Sequence, residues 1–148
     1  MSLSYATINV GDMLPALALP PLTRTTLALY AGASGDHNPM HIDIDFARAA
    51  GMPDVFAHGM LSMAWLGRLL TQWVPQRDLR EFSVRFTAIT HVGERIVCTG
   101  RIIEKLERDG ERLVRVALAT ANEAGEVKLT GEALVAVPAS GVPPEANP

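Results

Sequence analysis

Apolar and polar positions change rhythm about halfway along the chain. From Leu79 to Thr87, Phe82, Val84 and Phe86 alternate with Ser83, Arg85 and Thr87. A period of two is the mark of a half-buried strand. The rhythm recurs from Arg95 to Leu106, with Ile96, Cys98 and Ile102 on one face, then from Leu113 to Ala121 and from Val127 to Val137. Asp109-Gly110 and Asn122-Glu123-Ala124-Gly125 separate these runs. Both are turn sequences, since their residues tolerate positive φ. Hairpin-length connections imply antiparallel neighbours. Upstream, Met13 to Leu19 predicts an outer strand, because Pro15 and Pro20 suit a sheet edge.

Before this meander the period lengthens. Gly59 to Val74 is a helix-length apolar segment stopped by Pro75, with Ser62, Arg68, Thr71 and Gln72 as its polar exceptions. At about 1.5 Å per residue it is too short for an ordinary membrane span. A helix apolar nearly all round is buried nearly all round. One sheet face covers only one side, so the pattern predicts either a sheet that curls around the helix or a second subunit. Thr23 to Ala33 predicts a shorter helix, capped by Thr23, with Leu27 and Tyr30 inward. Asp45 to Ala50 predicts another, capped by Asp45 and ended by Gly51.

Composition narrows the picture. Of 148 residues, 48% are hydrophobic and 20% charged, the balance of a single folded domain. That domain is expected over residues 1–137, with a Pro-rich, flexible tail over 138–148. Thirteen Lys plus Arg against sixteen Asp plus Glu give −3, with no basic block, which argues against nucleic acid as a partner. A lone cysteine, Cys98, excludes an internal disulfide framework and a multi-cysteine zinc site. The N-terminus lacks a basic stretch leading into an apolar run, so no signal peptide, no membrane anchor and a cytoplasmic location are expected.

The most polar stretch in an apolar neighbourhood is Ser34-Gly35-Asp36-His37-Asn38-Pro39-Met40-His41. Gly35 and Pro39 bar a regular helix, which makes this a rigid loop. A turn through Asn38-Pro39 lets Asp36 and His41 converge on one substrate atom. A carboxylate beside an imidazole suits general acid–base work, because histidine titrates near neutrality. The plainer alternative makes Asp36 a turn cap and His41 a core residue. Ala57-His58-Gly59-Met60 opens the long helix. The first amides of a helix lack internal partners and sit at its positive end, where a carbonyl oxygen gaining charge is stabilised. Here too there is a plainer alternative: Gly59 merely starts the helix, and His58 packs as its cap. His37 and His41 are four apart, but Pro39 removes the helix that would align them, and with no His-Glu-x-x-His a metal is not expected. Cys98 is expected to be packed, and Trp65 and Trp73 to be core or interface residues. Arg68, Arg85 and Arg101 are either solvated or available to substrate phosphates.

Taken together, Tyr30-Ala31-Gly32, Ser34-Gly35-Asp36-x-Asn38-Pro39-x-His41, Ala47, Ala57-His58-Gly59-Met60-Leu61 and Val84-Arg85-Phe86-Thr87-Ala88 resemble the signature of the MaoC-like family. Its members include the (R)-specific enoyl-CoA hydratases, also called hydratase 2, and single-domain (3R)-hydroxyacyl-thioester dehydratases. The resemblance runs from Val10 to Val137. It implies an α+β hot-dog fold, a curved antiparallel sheet wrapped around a long central helix, and a homodimer or larger homo-oligomer with active sites near the interface. It implies reversible hydration of 2-enoyl thioesters to (3R)-3-hydroxyacyl thioesters of CoA or acyl carrier protein, with no cofactor. Asp36 and His41 match the family's catalytic dyad, Gly59 the glycine whose amide binds the thioester carbonyl, and Asn38 the asparagine that shapes the loop. Some hydratases carry a serine where this chain has Gly67. Ser62, Gly67, Ala33, Met40 and His58 are the positions expected to line or tune the acyl pocket. Two other readings stay open on this fold: an acyl-CoA thioesterase, and a non-catalytic partner subunit of a heteromeric dehydratase.

Overall fold

In the computed structural model, residues 3–139 are described. The elements run β1 (Leu17–Ala18), α1 (Arg24–Ser34), α2 (Ile44–Ala49), α3 (Gly59–Trp73), β2 (Leu79–Phe86), β3 (Ile96–Arg108), β4 (Glu111–Asn122) and β5 (Val127–Ala136). The strands form one antiparallel sheet in the order β1-β3-β4-β5-β2. Asp109 and Gly110 both take positive φ, 52° and 79°, and turn β3 into β4 as their sequence predicts. The edge strand shrinks to Leu17–Ala18 plus a bridge between Met13 and Arg101. Between them the chain follows β3 through the Leu14 amide on the Gly100 carbonyl, 2.9 Å, while Pro15 has no N–H to give.

α3 crosses β3 and β4. Leu66, Leu69 and Leu70 pack with Cys98, Val114, Val116, Ala133 and Val135 in the main core. Among the described residues nothing covers the opposite side of α3. Met60 is 54% exposed and Ala64 is exposed, so among the described residues the sheet does not curl far enough to bury the helix all round, and the other expected alternative, a second subunit, stays open. The helix ends where Val74 turns extended and Pro75 follows.

A second cluster, Leu22, Leu27, Ala47, Val55, Ala57 and Leu61, knits α1, α2 and the start of α3 together. Thr23 caps α1 as expected, accepting the Thr26 amide. The cap of α2 is Asp43, not Asp45: its carboxylate accepts the amides of both Asp45 and Phe46, because α2 begins one residue earlier, at Ile44. Pro138 and Ala139, assigned to the tail, are tied to the N-terminal turn by the Tyr5 amide and the Ser4 hydroxyl. The rest of the expected tail lies outside the described residues. Among the described residues no helix is long and apolar enough to cross a membrane.

Candidate active site

The loop that joins α1 to α2 is built from local bonds. Gly35 ends α1 at φ 75° and returns its amide to the Ala31 carbonyl. The Asp36 carboxylate accepts the Asn38 amide at 3.2 Å, and the Asn38 side chain accepts the Met40 amide at 3.1 Å. Pro39 opens a single 3-10 turn, Pro39–His41, whose last residue faces inward. Two successive Asx caps thus set the course from Asp36 to His41.

Longer contacts then orient the imidazole. His41 donates from Nδ1 to the Phe56 carbonyl at 2.8 Å. A carbonyl can only accept, so Nδ1 carries the proton and the neutral ring keeps its lone pair on Nε2. His58 stacks on His41 with centroids 3.9 Å apart and an interplanar angle of 29°, and Tyr30 meets His58 edge-on at 4.9 Å. His58 is 1% exposed and donates from Nε2 to the Asp36 backbone carbonyl at 3.0 Å, joining the loop to the start of α3. Burial pushes its pKa below the ordinary value, an effect opposed by that hydrogen bond. Its Nδ1 is buried without a partner.

One side-chain donor atom from each of Asp36, His41 and His58 lies within 4.8 Å of the other two. Stacked rings do not aim two in-plane lone pairs at one ion, so the arrangement suits proton transfer better than metal ligation.

Gly59 is the first residue of α3, and no side chain caps that end. A Cβ here would sit 2.9 Å from Phe86 Cε1, so the aromatic ring lies directly against the glycine. A cavity of about 320 Å³ is lined by His41, Gly59, Phe56, Ser62, Phe86 and Thr90 among others, but not by Asp36. Of the positions expected to line the pocket, Ser62 does. Ala33 is exposed on α1, Met40 is half-buried in the 3-10 turn, Gly67 faces Phe82 and His58 lies behind His41; none of the four borders the cavity. A larger cavity, about 670 Å³, opens at the far end of α3 beside Trp73 and Arg80, and neither Asp36 nor His41 reaches it.

Cys98 is fully buried, and burial pushes its thiol up to about 12, which makes it inert. Two features of the site have little trace in the sequence. One is the Phe56 carbonyl, a backbone atom that no residue type announces. The other is Thr90, whose hydroxyl is buried without a partner on the cavity wall.

The MaoC-like domain family matches residues 13–124. The chain belongs to this family. It is 30% identical over 122 residues to the (R)-specific enoyl-CoA hydratase of Rhodospirillum rubrum, covering 81% of this chain and 83% of that protein. It is 31% identical over 145 residues to the fatty acid synthase subunit beta of Saccharomyces cerevisiae, covering 88% of this chain but only 6% of that much longer protein. The solved structure of the R-hydratase PhaJ1 from Pseudomonas aeruginosa superposes with a TM-score of 0.81 at 27% identity, over 99% of this chain and 97% of the other. The expected α+β hot-dog fold is therefore the fold found. The MaoC-like match, the Rhodospirillum rubrum relative and the PhaJ1 structure support a hydratase, that is, a hydro-lyase.

Proposed function

We propose that this MaoC-like chain adds water reversibly across the double bond of 2-enoyl thioesters, carried on CoA or acyl carrier protein, to give (3R)-3-hydroxyacyl thioesters. The observation that carries the reading is the His41 Nδ1 bond to the Phe56 carbonyl, which leaves Nε2 free to act as a base on a residue that lines the cavity. Water held between Asp36 and His41 loses a proton to Nε2 as its oxygen attacks C3. The thioester oxygen gains charge and accepts the Gly59 N–H at the positive end of α3. The imidazolium then returns the proton to C2, and the Asp36 carboxylate supports that transient cation. The thioester itself acidifies C2, so the chemistry requires only these groups.

Asp36→Asn and His41→Gln are expected to lower the rate of crotonyl-CoA hydration by about 10² or more. Circular dichroism should stay unchanged, because neither side chain belongs to the two apolar clusters. Near-normal turnover in either variant overturns the assignment. Release of free CoA from saturated acyl-CoA would favour a thioesterase instead. No activity of the pure protein on any enoyl thioester would favour a non-catalytic partner subunit.

The same proposal includes a homodimer and a cytoplasmic location. Supporting the dimer, β2 lies at an edge of the sheet, and the exposed Met60 and Phe86 flank Gly59. A monomer in sedimentation at working concentration would remove it. Supporting the location, Cys98 is a free, buried thiol, which suits a reducing compartment.

A further inference from the structure

Lys128 is the largest side chain among the described residues with no exposure at all. A lysine is almost never fully buried unless it is paired. Its ammonium has three partners: the Ile89 carbonyl at 2.8 Å, Glu94 Oε1 at 3.0 Å and Glu126 Oε2 at 3.1 Å. The ammonium donates one hydrogen bond, to the Ile89 carbonyl, and the two carboxylates balance its charge.

Two of those partners, Ile89 and Glu94, belong to the loop between β2 and β3. The Lys128 carbonyl takes the Thr87 and Ala88 amides at 2.9 and 3.2 Å, while Glu94 Oε2 takes the His91 amide at 2.7 Å. One residue therefore anchors that loop by both its backbone and its side chain. The loop in turn forms one wall of the cavity through Ala88, Ile89 and Thr90. It also reaches the catalytic pair. The Thr90 carbonyl accepts the Ala57 amide at 2.9 Å, Phe56 bridges to His91, and the Phe56 carbonyl holds His41 Nδ1.

We propose that Lys128 is a positioning residue that fixes the wall of the acyl cavity through the Ile89 carbonyl and Glu94, and so sets which acyl lengths the site accepts. The proposal rests on the hydratase reading for its substrate. A wall made of loop backbone discriminates between acyl chains only while it is held still. An ordinary lysine–glutamate pair on the surface does not supply this, because water competes for both ends. Here the ammonium has no water to turn to.

The test is Lys128→Met, which keeps the length and removes the charge, with Glu94→Gln as a milder second variant. Amide hydrogen exchange is expected to rise about tenfold over residues 88–94 and at Ala57, and not in β3, β4 or β5. The spread of kcat/KM from crotonyl-CoA to decenoyl-CoA should narrow by about fivefold. Glu94→Gln should give the same pattern at smaller size, and it decides the matter if the methionine variant fails to fold. Faster exchange spread evenly over the sheet, or an unchanged spread of kcat/KM, overturns the proposal. If the wild-type protein hydrates no enoyl thioester, the functional reading falls, while the exchange pattern still decides whether Lys128 holds the loop.

Discussion

Two loops meet at the site, and they are held in opposite ways. The loop from Gly35 to His41 is exposed over most of its length and is shaped by bonds to residues two or three positions away: Asp36 to Asn38, Asn38 to Met40, Asn38 to His41. The loop from Thr87 to Glu94 is held by Lys128, about forty residues on, and by Ala57, about thirty residues back. The first carries the groups proposed to move protons and the second walls the space where the acyl chain would lie. The difference teaches a division of labour. The backbone course from Asp36 to His41 is set by neighbouring residues, and only its two ends are tied to distant ones, His41 to the Phe56 carbonyl and the Asp36 carbonyl to His58, whereas the cavity wall is held by distant residues.

Asn38→Ala tests the first half of this contrast and should have the largest effect. Removing the side-chain acceptor frees the Met40 amide and loosens the 3-10 turn that aims His41. Loss of such a cap costs about 1 kcal/mol of stability. Misplacing the imidazole by an ångström should cost on the order of 10² in kcat. The expected outcome is a kcat defect at nearly constant KM, measured on crotonyl-CoA. A variant with normal kcat and raised KM would show that the loop binds substrate rather than positions the dyad.

The same contrast explains what could be read from the sequence. The loop through Asp36, Asn38, Pro39 and His41 and the helix start at Gly59 were legible because local turn chemistry determines them, while the roles expected of these residues came from the family resemblance. The strands were legible because their period of two survives in the sheet, and Asp109-Gly110 marked the hairpin. The cap of α2 was misplaced by two residues because Asp43 and Asp45 both suit the role, and only the start of the helix at Ile44 separates them. His58 was read as a cap or pocket residue, yet its ring bonds to the Asp36 carbonyl, a partner twenty-two positions away that no local pattern encodes. Lys128 was hidden for the same reason. A lysine between Val127 and Leu129 reads as the solvent side of a strand until the β2–β3 loop is seen folded over it.

Gly59→Ala probes the seam between the two loops and should have an intermediate effect. The added Cβ would meet Phe86 Cε1 and Cδ1 at 2.9 and 3.0 Å. Phe86 is 54% exposed, so its ring can swing outward and the fold should survive. The cost should appear as about a tenfold loss in kcat/KM, from a displaced ring and a shifted amide. Phe86→Ala supplies the control. If crowding is the cause, Gly59→Ala should do little further harm in that background, a coupling read by a double-mutant cycle. Equal losses in both backgrounds would locate the defect in the amide alone.

The smallest effect concerns pH, and it separates the stack behind His41 from the rest of the molecule. His58 is faced by Asp36 and His41 from the loop and by Tyr30 from α1. Burial lowers its folded pKa below the ordinary 6.5, and His41 pushes the same way. Below pH 6.5 the unfolded chain therefore takes up a proton that folded His58 refuses until the pH drops further. The unfolded state binds more protons in that window, so stability rises with pH there. It is complete above about 6.5 and is lost as the solution is acidified toward the folded pKa. Asp54 beside Arg24 and Glu111 beside Arg80 are held below the usual carboxylate range, so they titrate at lower pH, outside this window. His58→Phe keeps an aromatic face against His41 but removes both the titration and the bond to the Asp36 carbonyl. Its melting temperature should be lower at pH 7 and should fall less steeply between pH 7 and 5 than that of the wild type. Parallel slopes would mean that His58 does not titrate differently on folding, and that the stack is held by packing alone.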